Sequence, residues 1–342
     1  MQIIQCDTSH EADWNAFVHA SPRASFYHRW EWRRINESCF GHPSVYLAAV
    51  EDGRMVGAFP IVWLKSLLFG NIACSMPFVN YGGPCGETDE IEQELVRAGE
   101  SVVEDWGVDY LEIRGRHRLG GAYPCSEHKV SMTVELTRDP QTLFANFKTS
   151  QRGEINRAFN KGFVTKRGPE LIDDFYAVLS DSWRDLGTPI YHADYLKAVI
   201  AAFPDAVRVT VVYAADGRPA AGAMYGLHNE SVEGMWLGMR SEYRQQLVGY
   251  VLYWELIKHA SESGFKSFHL GRSSKDSGGE QFKRKWNADS MQLYWQYVLR
   301  KRSEIPSLNP ANSKYRLAIQ AWRKLPVSVT QLVGPYLAKS IP

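Results

Sequence analysis

Val45-Tyr46-Leu47-Ala48-Ala49-Val50, then Asp52-Gly53-Arg54, then Met55 to Val62 is an apolar run, a turn signal and a second apolar run. Asp-Gly between apolar runs is a strong tight-turn signal, so the stretch predicts a β-hairpin. The same pattern returns at Val207 to Ala215, Asp216-Gly217-Arg218 and Pro219 to Gly226. Downstream of the first hairpin, Ile91, Leu95, Ala98, Val102 and Trp106 recur at helical spacing. Gly107 ends that helix, and Val108 to Ile113 predicts a strand closing on Arg114-Gly115-Arg116. Downstream of the second, Val248, Leu252, Leu256 and Ala260 recur every four residues, Gly264 ends the helix, and Phe265 to Leu270 predicts a strand closing on Gly271-Arg272. Hairpin, helix, glycine and strand in one order, twice, predict an internal repeat. The extra loop length in the first copy costs little entropy.

The expected fold is therefore α/β, an α+β mixed sheet in each of two copies of one unit, at 1–140 and 165–302, with the active site where the copies meet. A basic connector helix at 141–164 joins them. Lys148, Arg152, Arg157 and Lys161 there fall at helical steps of four or five, so they share a broad face, opposed only by Glu154. That face is expected to receive a polyanion, either tRNA or a pyrophosphate-linked precursor. A basic tail, 303–342, closes the chain. Its five cations, Lys314, Arg316, Arg323, Lys324 and Lys339, face the single acid Glu304, with Trp322 and aliphatics interleaved. Such a segment either lies on an anionic membrane surface or packs onto the second domain.

A length of 342 residues suits two domains, and 44% hydrophobic with 23% charged residues is an ordinary globular composition. The net charge of +1 gives no global attraction to nucleic acid or lipid, so such partners must be held by local clusters. Cys6, Cys39, Cys74, Cys85 and Cys125 contain no C-x-x-C pair and read as reduced thiols. Met1 to Gln5 lacks the basic-then-apolar pattern of a secretory signal. The longest apolar candidate, Met55 to Phe69, is broken by Pro60 and Lys65. It falls short of the roughly 18–20 residues that span a bilayer. The expected location is cytoplasmic, with the tail in possible peripheral contact with the inner membrane face.

Three segments carry candidate chemistry. Met76 to Pro84, with Asn80, Tyr81 and Gly82, is a glycine-permitted loop before a helix. It is read equally as a set of backbone donors for an anion or carbonyl oxygen and as a turn whose aromatics pack inward. Leu270 to Trp286 places Arg272, Ser273, Lys275, Lys283, Arg284 and Lys285 in a Gly/Ser-rich stretch after a strand, where α/β sheets build sites. Phosphate capture is the functional reading and a solvated basic loop the bland one. Arg244-Gln245-Gln246-Leu247-Val248-Gly249 opens the second helix and is similar to the pyrophosphate loop of acetyl-CoA-dependent N-acetyltransferases, R/Q-x-x-G-x-G/A. Arg244 and Gly249 are its cofactor-binding candidates, and Leu247 replaces the first glycine, where a side chain obstructs close backbone approach to a pyrophosphate. No nucleophile triad pattern, H-E-x-x-H or P-loop appears, which removes the hydrolase, metalloprotease and P-loop classes.

The set Pro77 to Gly83, Leu186-Gly187-Thr188-Pro189, Gly271-Arg272-Ser273, Phe282-Lys283-Arg284-Lys285-Trp286 and Asn312 to Leu317 resembles the FemAB-related proteins of exosortase/PEP-CTERM systems, over nearly the whole chain. His269 stands where that branch has an aspartate, and Ser277-Gly278-Gly279 replaces a G-x-G spacing. The resemblance implies a Fem-type transferase with two tandem GNAT-like acyltransferase domains, and no permanently bound cofactor. It implies an aminoacyl-tRNA or acyl-CoA donor and a phosphate-bearing envelope or exopolysaccharide precursor as acceptor. Lys283 matches the lysine of the Fem-type Phe-Lys motif and is the expected oxyanion-facing cation. Arg272 and Arg284 would take phosphates, and Tyr191 and His192 would orient or deprotonate the amine. A CoA-dependent N-acyltransferase acting on an amino sugar or amine, and a non-catalytic envelope-assembly adaptor, are the other two classes open to this fold.

Overall fold

Asp52 and Gly53 both take left-handed backbone, φ 50° and 76°, the two-residue turn whose twist matches that of the strands it joins. The computed structural model describes residues 1–66, 70–306 and 313–341, with backbone only at 313–315. Asn312 and the side chains of Ser313, Lys314 and Tyr315 lie outside the described residues. The chain divides into two compact units. Unit 1 comprises Met1–Val130, Met291–Ser307 and Lys339–Pro342, and unit 2 comprises Ser131–Ser290 and Leu308–Ala338.

In unit 1, β1 (Gln2–Cys6) is followed by α1 (Glu11–Ala20), α2 (Glu31–Phe40), β2 (Ser44–Glu51), β3 (Arg54–Ser66), β4 (Gly70–Cys74) and β5 (Cys85–Gly86). Next come α3 (Asp89–Asp105), β6 (Tyr110–Gly115) and β7 (Cys125–Glu135), whose last residues belong to unit 2. β1, β2, β3 and β4 pair antiparallel in sequence, β5 pairs with β3, and β4 pairs parallel with β6. The helical stripe read from the sequence buries Ile91 and Leu95. α3 lies so close to the sheet that a Cβ on Gly57 would stand 2.7 Å from Ile91 Cγ2.

Unit 2 repeats that order. After α4 (Pro140–Asn146) and α5 (Thr149–Phe159) come β8 (Val164–Arg167), α6 (Ile172–Leu186), α7 (Ala193–Ala202), β9 (Val207–Tyr213), β10 (Pro219–His228) and β11 (Ser231–Met239). α8 (Val248–Glu262), β12 (Ser267–Ser274) and α9 (Gly278–Arg284) follow, and β13 (Asp289–Leu299), most of which belongs to unit 1, ends the second copy of the pattern. β8 to β11 pair antiparallel in sequence and β11 pairs parallel with β12. The two Asp-Gly-Arg turns thus hold the same place in each unit. They differ in type: only Gly217 of the second is left-handed, φ 81°, and Ala214 N donates to Arg218 O at 2.9 Å, closing a longer loop. Val248, Leu252, Leu256 and Ala260 of α8 are all buried, as their spacing predicts.

The strands that end the copies are exchanged. β13 pairs antiparallel with β6 in unit 1, while β7 neighbours β12. The single connector helix expected over 141–164 is two, α4 and α5, because Phe147 and Lys148 take extended ψ angles of 149° and 145°. The last two helices, α10 (Ser313–Arg323) and α11 (Val327–Ala338), pack on α6. Arg184 donates to Leu325 O at 3.2 Å and Gln331 to Ser180 Oγ at 3.1 Å. No helix among the described residues is long and apolar enough to cross a membrane.

Candidate active site

β11 and β12 are paired over only three residues, Ser231–Glu233 against Ser267–His269. Both then run on, β11 to Met239 and β12 to Ser274. Close approach at Gly234, where a Cβ would lie 2.8 Å from His269 O, lies just beyond the last paired residue of β11, and past it the two strands continue outside the parallel ladder. Such openings at strand ends are where α/β sheets bind ligands.

Lys283 projects into this region from α9. It is 8% exposed, and its ammonium donates to Gly271 O at 2.9 Å and Arg272 O at 3.0 Å. An ammonium carries three donors, so two are committed to β12 and one remains. Burial, reinforced by the neighbouring Arg272 guanidinium, pushes its pKa down to about 7. α9 is pinned by aromatic contacts. Phe282 stands edge-on to Tyr250 and Tyr253 of α8, and Trp286 stacks on Tyr253 at 5.7 Å. Phe147 touches Trp286 and Trp254, and Trp254 lines a cleft of about 360 Å³ with Phe144, Ile155, Phe159 and Lys258.

The depressed pKa has a stability consequence. Below about pH 7 the folded chain holds a buried ammonium at full cost. Between about 7 and the ordinary lysine value of 10.5 the unfolded chain binds more protons, so stability rises with pH, by up to about 1.4 kcal/mol per unit. Lys283→Met lacks this rise. In urea unfolding at about pH 6.5 and about pH 9, wild type is expected to gain on the variant as pH increases; parallel behaviour would mean a solvated ammonium.

The other residues singled out by the sequence fall around and away from this point. Arg272 and Ser273 are half-buried on β12, and Lys275 is exposed in the turn before α9. Arg284 pairs with the buried Glu280 at 2.6 Å, a contact that the spacing of four on α9 could have announced. Arg244 is exposed and Gly249 buried, with a Cβ there 2.9 Å from Met239 Sδ. Leu247 is left-handed, φ 66°, so the backbone keeps a glycine-like conformation while carrying a side chain.

Tyr191 is buried among Trp183, Tyr195 and Trp236, and its carbonyl accepts from Tyr176 Oη. His192 is exposed and caps α7, accepting from Asp194 N at 3.2 Å. Arg152 donates to Ala145 O and Phe147 O, tying down the end of α4, and Arg157 pairs with Glu154 on the surface.

In unit 1 the corresponding parallel pair, β4 with β6, also spans three residues, Ile72–Cys74 against Tyr110–Glu112. Here the chain's own loop fills the divergence. Ser75 N donates to Glu112 O, and Gly82 N and Gly83 N both donate to Arg114 O, at 3.1 and 2.9 Å. Asn80 donates to Tyr27 Oη at 2.8 Å, and Tyr81 is buried against Tyr27. Of the two readings of Met76 to Pro84, inward packing describes what these groups do. Behind them lies a buried network that the sequence did not announce: Glu112 accepts from Arg114 Nε at 2.7 Å and Tyr297 Oη at 3.0 Å, with Trp295 stacked on Arg114.

Residues 145–284 match the acetyltransferase (GNAT) domain family. The whole chain is similar to FemX, with 12% identity, TM-score 0.66, and 88% of this chain and 98% of that one covered. It has the fold of the tandem GNAT acyltransferases. The C-terminal domain of an Agrobacterium fabrum protein named lysylphosphatidylglycerol synthetase matches with 12% identity, TM-score 0.56 and 92% and 94% coverage. A tandem GNAT protein from the clavulanic acid biosynthesis pathway matches with 12% identity, TM-score 0.54 and 89% and 99% coverage. No curated protein matches the sequence. The GNAT domain makes this chain an acyltransferase, and the second unit contains the residues that match.

Proposed function

We propose that this chain is a Fem-type aminoacyl (N-acyl) transferase of the exosortase-associated branch. It forms an amide bond on a phosphate-bearing cell-envelope or exopolysaccharide precursor at the cytoplasmic side of the membrane. The observation that carries the reading is the asymmetry between the units. The strand divergence of unit 1 is filled by its own loop, whereas that of unit 2 receives one buried lysine with a donor to spare. The neutral amine nitrogen of the acceptor attacks the donor's ester carbonyl. The C–N bond forms, the C–O bond to the donor breaks, and the proton lost by nitrogen ends on the leaving oxygen. Lys283 supplies its third N–H to the carbonyl oxygen as charge develops there. In this reading Arg272, Ser273 and Lys275 would take the acceptor's or donor's phosphate. FemX and the lysylphosphatidylglycerol synthetase domain, an enzyme named for aminoacylating a substrate, support an aminoacyl donor. Leu247, left-handed at φ 66° yet carrying a side chain, weighs against acyl-CoA, because a side chain there would obstruct close backbone approach to a pyrophosphate.

The deciding experiment incubates the protein with aminoacyl-tRNA or acyl-CoA and a set of nucleotide-linked amino sugars and peptides, reading amide products by mass. Product from aminoacyl-tRNA is expected, with weak acyl-CoA binding by calorimetry. Turnover with acyl-CoA alone would replace the donor assignment. Absence of product with every pair, alongside intact folding, would favour an adaptor.

A further inference from the structure

α11 has two unlike faces. Thr330, Gly334 and Ala338 are buried, and Gly334 sits so tightly on Ile190 that a Cβ would lie 3.0 Å from its backbone N and O. The opposite face presents Val329, Leu332, Val333 and Tyr336, with Leu332 and Tyr336 each 71% exposed. Positions i, i+3, i+4 and i+7 make one continuous stripe. Leu317 of α10 and Leu186, whose carbonyl receives Arg323 at 3.2 Å, are also exposed. Among the described residues nine large hydrophobic side chains are exposed, and six of them are these. Single exposed apolar residues need no explanation, whereas a concentration of this kind marks an interaction surface.

The charge carried by the same C-terminal segment selects the occupant. Arg316, Arg323 and Lys324 are exposed, and the sequence contains no Asp or Glu from Ser313 to Pro342. Two copies of such a cationic segment repel each other, whereas an anionic lipid surface satisfies both the stripe and the cations. We propose that the α10–α11 surface seats the second unit on an anionic bilayer, with Leu332, Val333 and Tyr336 entering the headgroup boundary and Arg316 and Lys324 meeting lipid phosphates. This rests on the proposed action on an envelope precursor and adds the surface by which the enzyme reaches it.

Flotation of the full chain with phosphatidylcholine vesicles, with and without about 30% phosphatidylglycerol, tests the proposal directly. Wild type is expected to float with the anionic vesicles, less so as salt rises. Leu332→Gln/Tyr336→Gln is expected to lose at least about tenfold in partitioning with its thermal midpoint unchanged, because both side chains are already solvated. Arg316→Gln/Lys324→Gln should lose the preference for anionic lipid. Wild type remaining unbound, or the Leu332/Tyr336 variant floating equally, overturns the proposal. So does a wild-type dimer, seen by light scattering, that the same variant dissociates. Flotation requires no catalysis, and transfer to a water-soluble acceptor does not require the stripe. Binding without any transfer would therefore leave the surface standing and remove the proposed reaction, and transfer without binding would do the reverse.

Discussion

Lys283→Ala is expected to lower acyl transfer roughly 10²–10³-fold, the loss of about 3–4 kcal/mol that follows removal of a single oxyanion donor. The folded state should survive. The variant deletes a desolvated ammonium, which is itself costly to bury, and the aromatic contacts of Phe282 and Trp286 that hold α9 against α8 do not involve it. Lys283→Arg should recover little, because a planar fork cannot reproduce a compact charge that bonds Gly271 O and Arg272 O at once. The pH profile separates this role from simple packing. With a pKa pushed down to about 7, the donating ammonium is lost as pH rises, so the wild-type rate should fall above about pH 7 once the acceptor amine is kept saturating. Initial rates across that range, for wild type and Lys283→Ala, make the comparison. A variant with near wild-type rate would remove Lys283 from the chemistry.

Glu112→Ala is expected to destabilise unit 1 by about 3–5 kcal/mol, the scale for breaking a buried ion pair from one side. The carboxylate accepts from Arg114 Nε and Tyr297 Oη, and both Glu112 and Arg114 are buried. Without it the guanidinium keeps its charge and loses its partner. Replacing both members, Glu112→Leu/Arg114→Met, should recover most of the loss, because similar volume is retained and no uncompensated charge is left. Denaturant midpoints of the two variants decide the matter. If Glu112→Ala costs under about 1 kcal/mol, water reaches the pair and the network is not buried in solution. Because Trp295 and Tyr297 come from β13, unit 1 gains this network only after the chain beyond β12 has been made.

The repeat was legible because it is written in local chemistry. Asp-Gly turns, four-residue apolar spacing in α8 and helix-ending glycines at 107 and 264, both with positive φ, are preferences of neighbouring residues and need no distant partner. Lys283 was singled out by its resemblance to the Fem-type Phe-Lys motif, and the aromatics at 282 and 286 anchor the segment that carries it. What neighbouring residues do not encode is which strand finishes each sheet. β7 and β13 are not among the strands read from the sequence, and their exchange is set by pairing across more than a hundred residues. Nor does spacing reveal which donors are already spent. Gly82 and Gly83 read as free N–H groups until Arg114 O, over thirty residues away, is brought against them, and Arg152 reads as a polyanion contact until α4 ends beneath it. The sequence alone determined two copies of one unit and pointed to Lys283 as a candidate residue. Only the tertiary structure decided which unit's strand opening is filled, because that depends on long-range hydrogen bonds that no local preference specifies.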